Sequence, residues 1–112
     1  MNVHTYETVG GKDLILEYIT SLSKPEIIDG LSVLENFEND DFDKLNKKQW
    51  QGKVWEVYFY KNNRIFYVAI DGIDAYLLHA CRKQKNKTEK VDKNIVIKRT
   101  KELERVLSKK LL

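Results

Sequence analysis

The stretch "KVWEVYFYKNNRIFYVAIDGIDAYLLHA", residues 53–80, decides the fold. Its first segment alternates strictly between two faces, as a half-buried strand does. Its second segment, "RIFYVAI", is almost continuously apolar, which is the pattern of a strand covered on both faces. Turn signals at Asn62-Asn63 and Asp71-Gly72 separate the three segments. The stretch therefore predicts a meander of three strands.

The chain before the meander predicts one strand and a pair of helices. "VHTYET", residues 3–8, is short and alternating, and Gly10-Gly11 ends it. Apolar residues then recur at helical spacing between Leu14 and Leu22. Ser23 and Glu26 have the spacing of a capping box and open a second helix, so a helical hairpin is expected. The following "ENDDFDKLNKKQWQG" is read as a polar link.

The last segment, from Thr88 to about Lys110, has an apolar stripe and predicts a C-terminal helix capped by Thr88. The element order is therefore β-α-α-β-β-β-α. We expect one domain over residues 1–112, of class α+β, with a small antiparallel sheet, an N-terminal helical hairpin and a C-terminal helix.

Composition limits the setting. Hydrophobic residues make up 42% of the chain and charged residues 33%, as in globular proteins. The only cysteine, Cys81, cannot form an internal disulfide, which favours a reducing, cytoplasmic location. No signal peptide is readable, and no apolar run approaches the roughly 18 residues of a membrane span.

Charge is distributed unevenly along the chain. Residues 1–46 hold three basic and ten acidic side chains, a balance of −7. Residues 79–112 hold twelve basic and four acidic side chains, a balance of +8. This asymmetry predicts a basic working end, although a basic C-terminal helix that is merely soluble explains it equally well.

A cluster of cations follows the third strand directly in "HACRKQKNKTEK", residues 79–90. Such a cluster either solvates a loop or binds an anion. Its cations are Arg82, Lys83, Lys85, Lys87 and Lys90.

Metal and cofactor motifs are not readable, and we predict no metal and no cofactor. His4 and His79 are far apart, and there is no second cysteine for a zinc set. Gly10-Gly11 lacks the lysine and serine of a nucleotide-binding loop. His79 and Cys81 could form a nucleophile pair, but a small core thiol is the better interpretation.

Three features lie on adjacent strands of the meander or at its end, so they can converge on one site: Glu56, Arg64 and the cations from Arg82 to Lys87. A carboxylate base with Arg and Lys around a phosphate is sufficient for metal-free RNA cleavage, since the 2′-hydroxyl of RNA supplies the nucleophile. Arg64 and Lys83 lie at strand ends, where we expect both side chains to reach solvent. Tyrosines nearby offer faces on which bases can stack, namely Tyr58, Tyr60 and Tyr67.

Whether Glu56 and Arg64 lie on the same face of the sheet depends on the first hairpin of the meander. A two-residue turn at Asn62-Asn63 pairs Arg64 with Lys61 and puts it on the Trp55 face. A three-residue loop pairs Arg64 with Tyr60 and puts it on the Glu56 face. A slip of one residue reverses the answer, and the pattern leaves both registers open.

Residues 50–105 resemble the HigB branch of the RelE-like toxins, also labelled phage-derived toxin-like proteins. The matching residues are Trp55-Glu56-Val57, Arg64-Ile65-Phe66-Tyr67 and Leu77-Leu78-His79, then Lys83 and Lys87-Thr88. Glu89 stands where the branch has proline, and Ala80-Cys81 where it has Gly-Phe.

The resemblance implies a toxin of a type II toxin–antitoxin system. Such toxins cut mRNA on the 70S ribosome without a metal, and a HigA-like helix-turn-helix antitoxin neutralises them in a hetero-oligomeric complex that binds operator DNA through the antitoxin. We predict catalytic roles for Glu56, Arg64 and Lys83. We predict RNA-binding roles for Tyr58, Tyr67, His79, Arg82, Lys85 and Lys87.

Two other functions stay open. The chain could be a non-catalytic RNA- or ribosome-binding module with the same fold, which opposite placement of Glu56 and Arg64 would favour. It could also be a protein-interaction module whose basic helix docks an acidic partner, which predicts no RNA affinity.

Overall fold

The computed structural model describes residues 1–83 and 88–112. Its strands are β1 (Asn2–Thr5), β2 (Asn46–Gln51), β3 (Val54–Phe59), β4 (Asn63–Ile70) and β5 (Asp74–Arg82). Its helices are α1 (Leu14–Thr20), α2 (Lys24–Glu38) and α3 (Lys90–Leu107), and one 3-10 turn covers Phe42–Lys44. The predicted α+β class, the helical hairpin, the three-stranded meander and the C-terminal helix are all present.

The five strands form one mixed sheet in the order β1-β5-β4-β3-β2. The pairs β2–β3, β3–β4 and β4–β5 are antiparallel. The pair β1–β5 is parallel, with Asn2 opposite Asp74. The prediction of an antiparallel sheet therefore holds for β2 to β5 and is wrong for β1. An alternating pattern shows that a segment is a strand, but it does not show which strand it pairs with.

Strand β2 was missed by the sequence analysis, which read it as part of a polar link. In the part of the chain that the structure describes, four strands therefore lie between α2 and α3, where three were predicted. Only Trp50 in this strand is even partly buried, so it has no apolar alternation to detect. It forms because its backbone pairs with β3 at the sheet edge, where Lys48 lies opposite Glu56.

Helices cover both faces of the sheet. Helices α1 and α2 pack on one face, in a core that includes Ile15, Phe37 and Tyr67. Helix α3 packs on the other face, where Val96 joins Phe66 in a second core. The continuous apolar character of β4 follows from this double coverage, as the sequence predicted.

Gly30 sits in the middle of α2, where glycine lowers helix propensity. A Cβ at this position would lie 3.0 Å from Ile19 of α1 and 3.0 Å from the Phe59 ring of β3. The missing side chain thus allows α2 to approach both neighbours closely, which compensates for the conformational cost of glycine.

Helix α3 begins later and ends earlier than predicted. Glu89 is its N-cap, and Thr88 instead accepts a hydrogen bond from Trp50 Nε1 at 3.2 Å. The helix ends before Ser108, which adopts the left-handed conformation. The chain then turns back to the sheet, where the buried Leu111 accepts a hydrogen bond through its carbonyl from the Lys53 amide at 2.7 Å.

Over residues 1–83 and 88–112, the helices are too short or too polar to traverse a lipid bilayer.

Candidate functional site

The β3–β4 hairpin settles the register that the sequence left open. Residues 60–62 form a three-residue loop, and Phe59 pairs with Asn63. Arg64 therefore lies opposite Tyr58. The three-residue alternative assumed Tyr60 as its partner, which is two residues further along the chain. Because two residues is one full period of a strand, Arg64 still lies on the Glu56 face.

Glu56, Arg64 and Lys83 converge on the face of the sheet that α3 also covers. Arg64 Nη1 donates a hydrogen bond to Glu56 Oε1 at 3.1 Å, and Lys83 Nζ lies 3.9 Å from the same oxygen. The exposed fractions of the three side chains are 2% for Glu56, 13% for Arg64 and 5% for Lys83. The expectation that Lys83 reaches solvent was wrong, because the end of β5 turns this side chain inward beside Glu56.

Tyr58 is the fourth member of this cluster. Its hydroxyl donates to Glu56 Oε1 at 2.5 Å, and the Arg64 guanidinium carbon lies 4.2 Å from the centre of its ring. Burial and the neighbouring carboxylate both raise the pKa of Tyr58. The phenol is thus held in its protonated form, in which it can donate to Glu56. We call Glu56, Tyr58, Arg64 and Lys83 the central cluster.

The central cluster carries more positive than negative charge. Two buried or nearly buried cations share the single carboxylate of Glu56. Burial lowers the pKa of Lys83, and Arg64 adds to this effect, while Glu56 opposes it. An anion bound beside the two cations would balance their charge and recover part of the solvation that they lost on burial.

A cleft of about 380 Å³ leads to this cluster between β2 and the start of α3. Glu56 and Lys83 contribute to its lining. Its rim carries two exposed lysines, Lys48 and Lys93, and the half-buried Trp50. None of the three rim residues was predicted from the sequence. The spacing of Lys48 and Trp50, which puts both on one face of a strand, was the available signal within "KKQWQG".

Two buried polar atoms of the cluster make no hydrogen bond within residues 1–83 and 88–112: Glu56 Oε2 and Arg64 Nε. One is an acceptor and the other a donor. Buried polar atoms are normally paired, so the unpaired acceptor of Glu56, a residue of the cleft lining, and the unpaired donor of Arg64 beside it are candidates to bind a polar ligand.

His79 links β5 to α3. Its Nε2 lies 2.8 Å from Asp92 Oδ1, and Arg99 Nη1 approaches its Nδ1 at 3.5 Å. Because Arg99 can only donate, Nδ1 accepts and Nε2 carries the proton that is donated to Asp92. Burial lowers the pKa of His79, which keeps the ring neutral near pH 7. These contacts hold the imidazole within the fold, and its predicted RNA-binding role stays a prediction.

His79, Cys81 and Asp92 also form a group that could hold a metal ion, since their ligand atoms all lie within 4.8 Å of one another. This group was not readable from the sequence, because Asp92 comes from another element. The chemistry of the group does not favour a cation. The Arg99 guanidinium lies beside it, and burial raises the pKa of the Cys81 thiol to about 12, whereas a metal requires the thiolate.

Two predicted RNA contacts lie elsewhere. Tyr67 is 3% exposed and packs edge-on against Phe37 on the opposite face of the sheet, so the structure does not support stacking on a base. Arg82 also points to that face, where its Nη2 donates to Glu26 Oε2 at 2.6 Å. Arg82 is the last residue of β5 and Lys83 directly follows it, so the alternation of side chains directs the two to opposite faces.

The other two predicted RNA contacts, Lys85 and Lys87, lie outside the described residues.

The fold and the site together define a small α+β protein with a buried polar cluster under a lysine-rimmed cleft. The chain belongs to the family of phage-derived Gp49-like proteins (DUF891), whose model matches residues 17–101 and thus includes the whole sheet except β1. This family is associated with the toxins of toxin–antitoxin systems. None of the curated proteins matches the chain.

Proposed function

We propose that this protein is the HigB-like toxin of a type II toxin–antitoxin system and that it cleaves mRNA without a metal. One observation carries the proposal: Arg64 and Lys83 converge on the buried Glu56 at the floor of a cleft that is rimmed by lysines. RNA is the anion that fits, because its 2′-hydroxyl supplies the nucleophile and leaves only proton transfer and charge stabilisation to the protein.

The roles follow from the chemistry of the three side chains. Glu56 accepts the proton of the 2′-hydroxyl through Oε2, while Tyr58 and Arg64 hold Oε1. The 2′-oxygen bonds to phosphorus, the bond from phosphorus to the 5′-oxygen breaks, and Arg64 and Lys83 stabilise the charge on the phosphate. Lys83 donates a proton to the leaving 5′-oxygen, and its lowered pKa favours that transfer. The products are a 2′,3′-cyclic phosphate and a 5′-hydroxyl.

The resemblance to HigB toxins extends the proposal to dependence on the ribosome and to control by an antitoxin. A toxin that acts on the ribosome needs affinity for both mRNA and ribosomal RNA, and the basic C-terminal third supplies phosphate contacts for both. Its site of action is then the cytoplasm. The neutralising partner is a HigA-like antitoxin of the helix-turn-helix class.

A non-catalytic RNA- or ribosome-binding module with the same fold is one of the two alternatives. Placement of Glu56 and Arg64 on opposite faces of the sheet would favour it. The two side chains form an ion pair at 3.1 Å, so this observation does not favour the alternative.

Inducible expression of the chain alone in bacteria tests the proposal. We expect growth arrest, with mRNA cut inside translated reading frames and new 5′-hydroxyl ends. Arrest without new RNA ends would leave a binding module, and unimpaired growth at high expression with intact mRNA would overturn the toxin assignment.

A further inference from the structure

A second groove begins at Arg64 and runs along the β3–β4 hairpin. Its volume is about 780 Å³, about twice that of the cleft beside Lys48. Helix α2 forms one wall and the loop of residues 60–62 forms another. Lys44, at the end of the 3-10 turn, and Asn46, the first residue of β2, also line the groove. Tyr58 and Arg64 line this groove, while Glu56 and Lys83 line the cleft, so the central cluster lies between the two.

The charge of the groove suits a phosphate chain. Among the described residues, its cations are Lys44, Lys61 and Arg64, and its single acid is Asp29. Asp29 Oδ2 already accepts a hydrogen bond from the Tyr60 amide at 2.6 Å, which commits that carboxylate to the loop. A polyanion therefore meets an excess of positive charge here.

The other groups of the groove suit a nucleobase. Tyr60 exposes 55% of its surface at the end of a hairpin whose loop is fixed by Asp29, so its ring is accessible and its backbone is held. Asn36 and Asn46 line the same groove and carry amides, which offer both a donor and an acceptor. An aromatic face with amides beside it is a common means of recognising an unstacked base.

We propose that this groove binds one nucleotide of the RNA strand next to the phosphate that is cut. Its base stacks on Tyr60, Asn36 and Asn46 contact the base edge, and Lys61 contacts the phosphate. The assignment rests on the proposed function, because Arg64 borders both the groove and the central cluster. It makes the groove the part of the protein that selects which base occupies that position.

Oligonucleotide binding to the purified full-length chain tests the groove without cleavage. The probe is a fluorescent 2′-O-methyl RNA of mixed sequence, which the chain cannot cut because its 2′-oxygen is blocked. Tyr60→Ala should weaken binding about tenfold, since one stacked base is lost. Tyr60→Phe keeps the ring and should recover most of the affinity. The matched control is Ile73→Ala, an equally exposed hairpin residue at the turn between β4 and β5, which should bind as the wild type does.

Mapping of RNA ends in cells tests base selection. Asn36→Ala and Asn46→Ala should change the base found at one fixed position beside the cut, while the total number of cuts changes less. Wild-type affinity in Tyr60→Ala, or an unchanged base distribution in both asparagine variants, would overturn the subsite. If the wild type binds the probe through Tyr60 but cuts no mRNA, the proposed cleavage fails and the binding groove stands.

Discussion

Arg64 lies directly opposite Tyr58 in the β3–β4 pair, and its guanidinium carbon sits 4.2 Å from the centre of the tyrosine ring. The same two side chains both donate to Glu56 Oε1. Stacking and hydrogen bonding therefore fix the guanidinium in one place with few remaining rotamers. A cation that is held before substrate arrives stabilises developing charge without the cost of reorganisation.

Arg64→Ala should abolish growth arrest because it removes a fixed cation from the cleavage site. Loss of one such group lowers the rate by about a hundredfold or more. Lys83 is buried beside Glu56, so Lys83→Met, which retains the volume of the side chain, is the appropriate variant, and it should have an effect of the same size. Cleavage is measured by the frequency of new RNA ends at matched expression.

Lys98→Ala serves as the control for both variants, because Lys98 is an exposed cation of α3 that does not line the cleft. It should leave growth arrest intact. Full toxicity of both Arg64→Ala and Lys83→Met, in proteins that melt cooperatively, would remove the catalytic assignment.

Glu56→Gln should lower cleavage and leave RNA binding in place, since the amide keeps the shape of the side chain but accepts a proton poorly. Rate and affinity are measured separately, with cleavage of mRNA on ribosomes and titration of a non-cleavable 2′-O-methyl oligonucleotide. Loss of both together would assign Glu56 to positioning Arg64 and Lys83. Unchanged cleavage would exclude the carboxylate as the base.

RNA binding should weaken steeply with salt. Among the described residues, six cations line the proposed path of the strand: Lys44, Lys48, Lys61, Arg64, Lys83 and Lys93. Neutralising about five phosphates of a single strand gives a slope near −3.5 in a plot of log K against log salt concentration. Fluorescence titrations between about 0.05 and 0.3 M KCl measure the slope. An affinity that does not change with salt would show that the basic end of the chain is only a solvated surface.

Acid should destabilise the fold through Glu26. Hydrogen bonds from Asn63 and Ser23, together with the charge of Arg82, lower the pKa of Glu26 from 4.5 to about 2. The unfolded chain therefore binds a proton at a higher pH than the folded chain does. Stability that this group contributes is fully present above pH 4.5 and is lost as the pH falls toward 2.

Glu26→Gln should reduce the free energy of unfolding at pH 7, and the difference from wild type should narrow as the pH falls from 4.5 toward 2. Urea unfolding of both proteins at several pH values measures this difference in the free energy of unfolding. Glu35→Gln is the control, because Glu35 is exposed and makes no ion pair in the described part of the chain. A constant difference across this range would contradict the assignment.

Alanine substitutions at Gly52 and Gly72 distinguish the cost of backbone strain from the cost of a steric clash. Both have positive φ, 56° for Gly52 and 67° for Gly72, so alanine at either position is strained by about 1–2 kcal/mol. A Cβ at Gly52 would also lie 2.5 Å from the Leu111 carbonyl oxygen, whereas one at Gly72 meets nothing within 4 Å. Gly52→Ala should therefore destabilise by about 1–3 kcal/mol more than Gly72→Ala in chemical unfolding. Equal losses would show that the segment around Leu111 yields without cost.

The sequence by itself determined the elements that carry strong periodicity. The meander of β3, β4 and β5 was readable because burial on both faces requires a nearly continuous apolar strand in the middle. The helices were readable from their apolar stripes. The edge strand β2 was not, since edge pairing needs only backbone hydrogen bonds and leaves its side chains polar.

Candidate site residues were readable by chemical type, but their grouping was not. Side chains alternate along a strand, so one residue of register decides whether Arg64 meets Glu56 or faces the helical hairpin. The same alternation separated Lys83, which joins the central cluster, from Arg82, which pairs with Glu26.

Only the tertiary structure decided which charges are buried. Lys83 and Glu26 look like ordinary exposed residues in the sequence, yet they are 6% and 7% exposed. Their burial depends on contacts between residues that are distant along the chain: Lys83 beside Glu56, and Glu26 beside Asn63 and Arg82. The local sequence pattern shows which residue types are present and at what spacing. Long-range contacts determine the dielectric environment of a side chain and its partners, and the chemistry of the side chain follows from these.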